Sequence, residues 1–176
     1  VYNETKQMNR LIVSFLQYNR LQKIQHLEKT KCDMKEIIPE ELEKYEDLFE
    51  AAGIECEVSM EETELINGNK ELLVLVIDNY LSNAYKYTEG GRTITVKLTK
   101  EKKGCRFVVW NEGARLIEDD MTQIWDILSR QDKSRNREKG STGMGLSICR
   151  RILELHGFAY GCGNKDNGAE FWFEAK

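Results

Sequence analysis

Val74-Leu-Val-Ile-Asp-Asn-Tyr-Leu-Ser-Asn-Ala-Tyr-Lys-Tyr-Thr88 is the stretch around which the rest of this 176-residue chain is organised. Apolar and polar side chains recur in it at the period of a helix with two different faces. Val74, Ile77, Leu81 and Ala84 fall on one side, while Asn79, Ser82, Asn83 and Lys86 fall on another. The first face suits a core. The second carries two amides and an ammonium, a set suited to a metal-bound phosphate, because amide oxygens ligate Mg2+ and a lysine neutralises phosphate oxygens. A solvated polar stripe is the other reading of this helix taken alone.

A second stretch, Gly140-Ser-Thr-Gly-Met-Gly-Leu146, precedes an apolar helical pattern through Ile148, Ile152 and Leu155. Glycines just before a helix let the backbone close on an anion, and the helix N-terminus supplies free N–H groups and the positive end of its dipole. The loop lacks the Lys-Ser/Thr ending of a P-loop and the G-x-G-x-x-G of a dinucleotide-binding turn, so neither of those folds is supported.

Four motifs, in order, resemble the catalytic, ATP-binding domain of sensor histidine kinases, a branch of the GHKL ATPases. Asn79-x-x-x-Asn83-Ala-x-Lys86-Tyr87-Thr88 is similar to that family's N box. Asn111-Glu-Gly113-Ala-Arg-Leu116 is similar to its first glycine box, with Asn111 at the position usually held by Asp and Arg115 at the second glycine. Ile124-Trp-Asp-Ile-Leu128-x-Arg130-x-Asp132-Lys-Ser-Arg135 is similar to the F box and the segment after it, and Gly140 to Leu146 to the second glycine box. Asn-x-Gly variants of the first glycine box resemble the vancomycin-resistance type of sensor. The resemblance covers about Asp33 to Lys176.

The resemblance implies an α+β two-layer sandwich, a mixed sheet of about five strands under three helices, with ATP and Mg2+ as cofactors. It implies Asn83 as the Mg2+ ligand and Asn79, Lys86 and Arg130 as the catalytic set. Asn79 stands where the hydrolytic relatives carry a Glu, and an amide cannot accept a proton as a base, so positioning for a histidine nucleophile is expected rather than water activation. Asn79, Asn83, Lys86, Tyr87, Asn111, Gly113, Leu116 and Arg130 would hold the nucleotide. Gly140, Thr142, Gly143, Met144, Gly145 and Leu146 would close the rest of the pocket, with Gly140 as a hinge. For Arg130 an interface ion pair is the alternative, and for Tyr87, Leu116 and Leu146 ordinary core packing. Asn111 accepts a hydrogen bond from the base without charge, so a weaker contact is expected there. A nucleotide-dependent or nucleotide-free interaction module and an anti-sigma-factor type of serine kinase are the alternative functions.

Composition agrees with a globular domain: 40% of residues are hydrophobic and 32% charged, with a net charge of −4. That balance offers no attraction to nucleic acid or to an anionic membrane, and no apolar run approaches the ~20 residues that span a bilayer. By resemblance the chain is a cytoplasmic part of a membrane-anchored bacterial sensor. Cys32, Cys56, Cys105, Cys149 and Cys162 show no C-x-x-C spacing and read as reduced thiols.

Val1 to Lys31 reads as one amphipathic helix, by resemblance the truncated end of the dimerisation and phosphoacceptor hairpin, with residues 32–176 as the catalytic domain. The resemblance then implies a homodimer, an acceptor hairpin on the same or a partner chain, and a response-regulator receiver domain as partners. His26 lacks the acidic neighbour and the downstream Pro of a phosphoacceptor and reads as a solvated helix residue; His156 reads as a helix C-terminal residue before a Gly cap. Asp33 to Ile38 is expected as a strand, Pro39 to Ala52 as a helix, Ile54 to Ser59 and Glu64 to Asn67 as strands, the latter before a turn at Asn67-Gly68. Two hairpins are expected, Arg92 to Trp110 and Phe158 to Glu174, the second around Asp166-Asn-Gly168.

Overall fold

The computed structural model describes residues 2–117, 121–127 and 143–176. Helix α1 (Tyr2–Lys23) leads into β1 (Thr30–Cys32), α2 (Met34–Ala52), β2 (Glu55–Met60), β3 (Ile66–Gly68) and α3 (Lys70–Tyr87). After these come β4 (Thr93–Lys100), β5 (Cys105–Glu112), a short 3-10 turn at Gln123–Trp125, α4 (Gly145–His156), β6 (Ala159–Lys165) and β7 (Gly168–Ala175). This is the expected α+β sandwich.

Five strands form one mixed sheet in the order β2-β4-β5-β7-β6. Only β2 and β4 run parallel; the other pairs are antiparallel. Side chains alternate along β5, so that Cys105, Phe107, Val109 and Asn111 are buried while Arg106, Val108, Trp110 and Glu112 are half-buried on the opposite face. Helix α3 lies over the buried face between α2 and α4. Its Tyr80 ring stacks on Phe107 at 6.4 Å, and Phe107 meets Phe173 of β7 at 5.3 Å. Each such aromatic, fully buried, is worth about 1.5–3 kcal/mol of transfer free energy. This aromatic cluster holds α3, and with it the amide stripe, against the centre of the sheet.

The N-terminal third departs from the expected boundaries. Helix α1 ends at Lys23 rather than Lys31, and residues 30–32, not 33–38, form the strand. Asp33 is instead the N-cap of α2, its carboxylate accepting from the Lys35 N–H at 2.8 Å. Asp33-x-x-Glu36 is a capping-box pattern that marks this start from sequence. Pro39 therefore lies inside α2, at the beginning of its second turn. Asn67-Gly68 is no turn either: both residues belong to β3, which pairs antiparallel with β1.

Helix α1 divides its apolar residues between two environments. Leu21 near its end is buried, and Arg151 of α4 donates to the Leu21 and Ile24 carbonyls at 3.2 and 3.1 Å, closing the helix C-terminus. Met8, Ile12, Val13, Phe15 and Leu16 remain exposed.

Between β4 and β5 the chain turns at Gly104, whose φ is +87° and whose Cα faces the Ala175 carbonyl so closely that a Cβ would sit 1.9 Å from that oxygen. Gly104→Ala combines a left-handed backbone with a main-chain clash that no rotamer relieves. The expected loss is on the order of 3 kcal/mol, a fall of about 6–12 °C in thermal midpoint; a midpoint within about 2 °C of the parent would contradict this account.

Candidate functional site

Helix α3 starts from Asn69, whose side chain accepts from the Leu72 N–H at 3.1 Å, and it positions Asn79 and Asn83 on successive turns, both half-buried. Asn79 is anchored by its own helix: its Nδ2 donates to the Leu75 carbonyl at 2.8 Å, four residues back. That bond turns Oδ1 outward, toward the start of α4. A Cβ placed on Gly145 would lie 2.4 Å from Asn79 Oδ1. The amide helix and the glycine loop, more than sixty positions apart in sequence, are therefore in contact.

The start of α4 differs from the starts of α2 and α3. Asp33 and Asn69 cap those two helices with side-chain acceptors, whereas at α4 the N-cap is Met144 and no side chain caps it. Ser147 turns away, its hydroxyl donating to the Met144 carbonyl at 2.8 Å. Gly143 ahead of it has φ +65°. Among the described residues no side chain caps the start of α4, which lies beside the Asn79 amide, and an uncapped helix start with its dipole is an arrangement that binds an anion. Met144 itself is buried in the core, so of its assignment only the backbone is placed for contact.

At the other end of the site Asn111 projects from β5 on the face turned to the helices and is 3% exposed; its amide nitrogen is buried with no hydrogen-bond partner among the described residues. The loop after it is held from two sides. The Gly113 N–H donates to the Asn167 carbonyl at 2.8 Å, and Asn164 of β6 bonds both backbone groups of Leu116, at 2.8 and 2.9 Å. Glu112 joins the same frame, accepting from the Thr93 N–H and the Asn167 amide. Leu116 and Leu146 are half-buried against the core. Arg115 is exposed, while Arg92 lies over Gly113, whose φ is +81° and where a Cβ would meet its guanidinium.

One member of the polar stripe faces another way. Ser82 belongs to the packing of α2 on α3 rather than to the amide stripe: Tyr45 of α2 bonds the Asp78 carboxylate at 2.6 Å, and burial together with this bond raises the Tyr45 pKa while the Ser82 hydroxyl opposes the rise. Lys86 closes α3 in its last turn, and Tyr87 beside it is 38% exposed. Arg130, Gly140 and Thr142 lie outside the described residues. Arg92, Glu112, Asn164 and Asn167 carry no motif signal, because their contacts join segments far apart in the chain. Cavities of about 360 and 520 Å3 lie away from this cleft, one beside α1 and α4, the other under α2 and β2.

His26 is exposed in the bend after α1. His156 precedes the left-handed Gly157 cap but is also buried: Nδ1 donates to the Ile152 carbonyl at 2.7 Å and Nε2 accepts from the Asn69 N–H at 3.0 Å, which requires the neutral ring. Burial lowers its pKa, with Lys29 acting in the same direction. The unfolded chain then takes up this proton first as pH falls, so the His156 contribution is complete above about pH 6.5 and is lost below it. Thermal midpoints measured from about pH 8 to about pH 5 should fall once the pH drops below about 6.5, and less steeply in His156→Gln.

A family model described as histidine kinase-, DNA gyrase B-, and HSP90-like ATPase matches residues 68–176. The sensor histidine kinase YcbM of Bacillus subtilis is 26% identical over 156 residues, covering 88% of this chain and 50% of its own length. The signal transduction histidine-protein kinase BaeS of Escherichia coli is 25% identical over 112 residues, 64% of this chain and 24% of its own. The chain thus spans half or less of these relatives. Full-length ShkA in complex with AMPPNP shares the fold at a TM-score of 0.83 and 25% identity, over 98% of this chain and 36% of that one. ThkA in complex with the response regulator protein TrrA has the same fold at a TM-score of 0.81 and 24% identity, over 99% of this chain and 48% of that one. With the amide helix, the uncapped helix start and the intervening loops in the places described, this chain belongs to the family of histidine kinase-, DNA gyrase B-, and HSP90-like ATPases.

Proposed function

We propose that this chain is the catalytic, ATP-binding part of a sensor histidine kinase, presenting ATP and Mg2+ to a histidine carried outside residues 1–176. The observation that carries this reading is the meeting of the anchored Asn79 amide with the uncapped N-terminus of α4, with only a glycine hydrogen between them. The donor set fits the group. Asn83 would hold the divalent cation through its amide oxygen, Lys86 would neutralise phosphate oxygens, and the Gly143–Gly145 backbone would receive a phosphate. When bound, Mg2+ supplies the Lewis-acid charge that offsets the developing phosphate charge. Neither Asn79 nor Asn83 can take a proton, so the chain's own contribution is alignment, with the incoming histidine as acceptor. By the resemblance, Arg130, Gly140 and Thr142 would complete the nucleotide contacts.

The exposed apolar residues of α1 from Met8 to Leu16 support a partner helix there, in keeping with residues 1–31 as the end of a dimerisation hairpin. No described helix is long and apolar enough to cross a membrane, and we place this part of the parent protein in the cytoplasm, with a response-regulator receiver domain as the final acceptor.

Calorimetric titration tests the first half: the chain should bind ATP with Mg2+, and no heat at millimolar nucleotide would refute the proposal. A longer chain that includes the acceptor hairpin should then gain acid-labile phosphate from ATP. Binding without labelling would favour the second reading, an interaction module, for which the uncharged Asn111 at the base end speaks.

A further inference from the structure

Asn111 is buried to 3% exposure, yet its amide nitrogen has no partner among the described residues. A buried donor without an acceptor is costly and rare, and such a group calls for an explanation in each structure where it occurs. Here the strand supplies none. Asn111 lies opposite Ile94 on β4 and Ala169 on β7, neither of which has a side chain able to accept. Its own backbone carbonyl is covered by Gly168, where a Cβ would come within 2.4 Å. The Asn111 side chain is therefore buried with a donor unspent among the described residues.

We infer that Asn111 reads the six-position of a purine in either sense, so that the site accepts 6-oxopurine nucleoside triphosphates as well as ATP. This rests on the nucleotide-binding reading above and specifies its substrate class. A carboxamide carries one acceptor and one donor group side by side, and a half-turn about its last torsion exchanges them. The six-position edge of adenine offers an amino donor beside a ring-nitrogen acceptor; that of hypoxanthine or guanine offers a carbonyl acceptor beside a ring N–H donor. In one orientation Asn111 complements the first, and in the other orientation the second. An acceptor on the base would satisfy the unpartnered Nδ2. A carboxylate at this position has acceptors only and would oppose the 6-oxo group, so the amide removes a repulsive element on which discrimination between the two bases would depend. Arg92, a donor-only cation, lies over Gly113 two residues further on and adds no acceptor that would restore that discrimination.

The test is equilibrium binding of ATP and of inosine triphosphate, each with Mg2+, to this chain and to Asn111→Asp. Inosine triphosphate presents the six-position edge of guanine without the added two-amino group, so it isolates the amide. The expected result is that the two affinities differ by less than about tenfold in the native chain. In Asn111→Asp the preference for ATP should widen by about 10–100-fold, the discrimination that one well-made base contact provides. If ATP binds and inosine triphosphate is more than about a hundredfold weaker in the native chain, the inference falls while the nucleotide site stands. An unchanged ratio in a folded Asn111→Asp overturns it as well. If neither nucleotide binds the folded native chain, the proposed function itself fails and this inference with it. Should Asn111→Asp not fold, the ratio in the native chain decides alone.

Discussion

In a chain extended to include the acceptor hairpin, Asn83→Ala lowers histidine phosphorylation by about 10²–10³-fold, the effect of deleting one aligned electrostatic contact from a phosphoryl-transfer site. The same variant keeps or slightly raises its thermal midpoint. Asn83 is half-buried on the side of α3 away from Leu81 and Ala84, and neighbouring Tyr80 and Leu81 continue to anchor the helix in the core. Alanine is also the better helix former, by about 0.5 kcal/mol on the propensity scale. Activity and stability are thus expected to move in opposite directions, which a residue serving only the fold would not do. Asn83→Asp retains an oxygen ligand and should recover part of the rate at raised Mg2+. Phosphorylation of Asn83→Ala within about threefold of the parent would remove Asn83 from the metal-holding role.

What could be read beforehand followed the range of the interactions. Helices α3 and α4 and the two hairpins rest on contacts within a few residues, and the periodicity of Leu73 to Ala84 or the Asp166-Asn167 turn announces them. The start of α2 is equally local, in Asp33-x-x-Glu36, but Pro39 gives the more conspicuous signal and draws the expected boundary several residues too far along the chain. The β1–β3 pair has three residues on each side and more than thirty between them, too short for alternation to register. The strand order is hidden for another reason: β5 pairs with β7, a strand separated from it by a helix and by β6.

The site divides in the same way. Asn79, Asn83, Asn111, Gly113 and Gly145 are legible as residue types at motif spacing, and of these Asn79 and Gly145 meet. Ser82 groups with them in sequence because it is three residues from Asn79. A helix turns by about 100° per residue, so Ser82 and its neighbour Asn83 point in different directions, and Ser82 meets Tyr45 instead. The frame behind the base end, built by Glu112, Asn164 and Asn167, has no sequence signature, since each contact closes a long loop. It nonetheless decides whether Gly113 and Leu116 stay in place.

The last expected result concerns the point where the two halves of the site touch. Gly145→Ala should lower ATP affinity, and with it phosphorylation in the extended chain, by about 10–100-fold, as losses of a ligand-orienting partner do. The new methyl would lie 2.4 Å from Asn79 Oδ1, well inside contact distance. Gly145 is helical, so the backbone accepts alanine without strain, and a gain of up to about 1 kcal/mol in helix propensity is available. The atom it meets is the end of a side chain, which yields more readily than main chain. Asn79 therefore rotates away, breaking its 2.8 Å bond to the Leu75 carbonyl, and the chain stays folded while the amide loses its aim. Binding measured by calorimetry beside a melting curve separates the two effects. A variant that melts as the parent does and binds nucleotide equally well would mean that the approach of Asn79 to α4 serves packing alone. The nucleotide would then have to be held by contacts other than the one on which the proposed function rests.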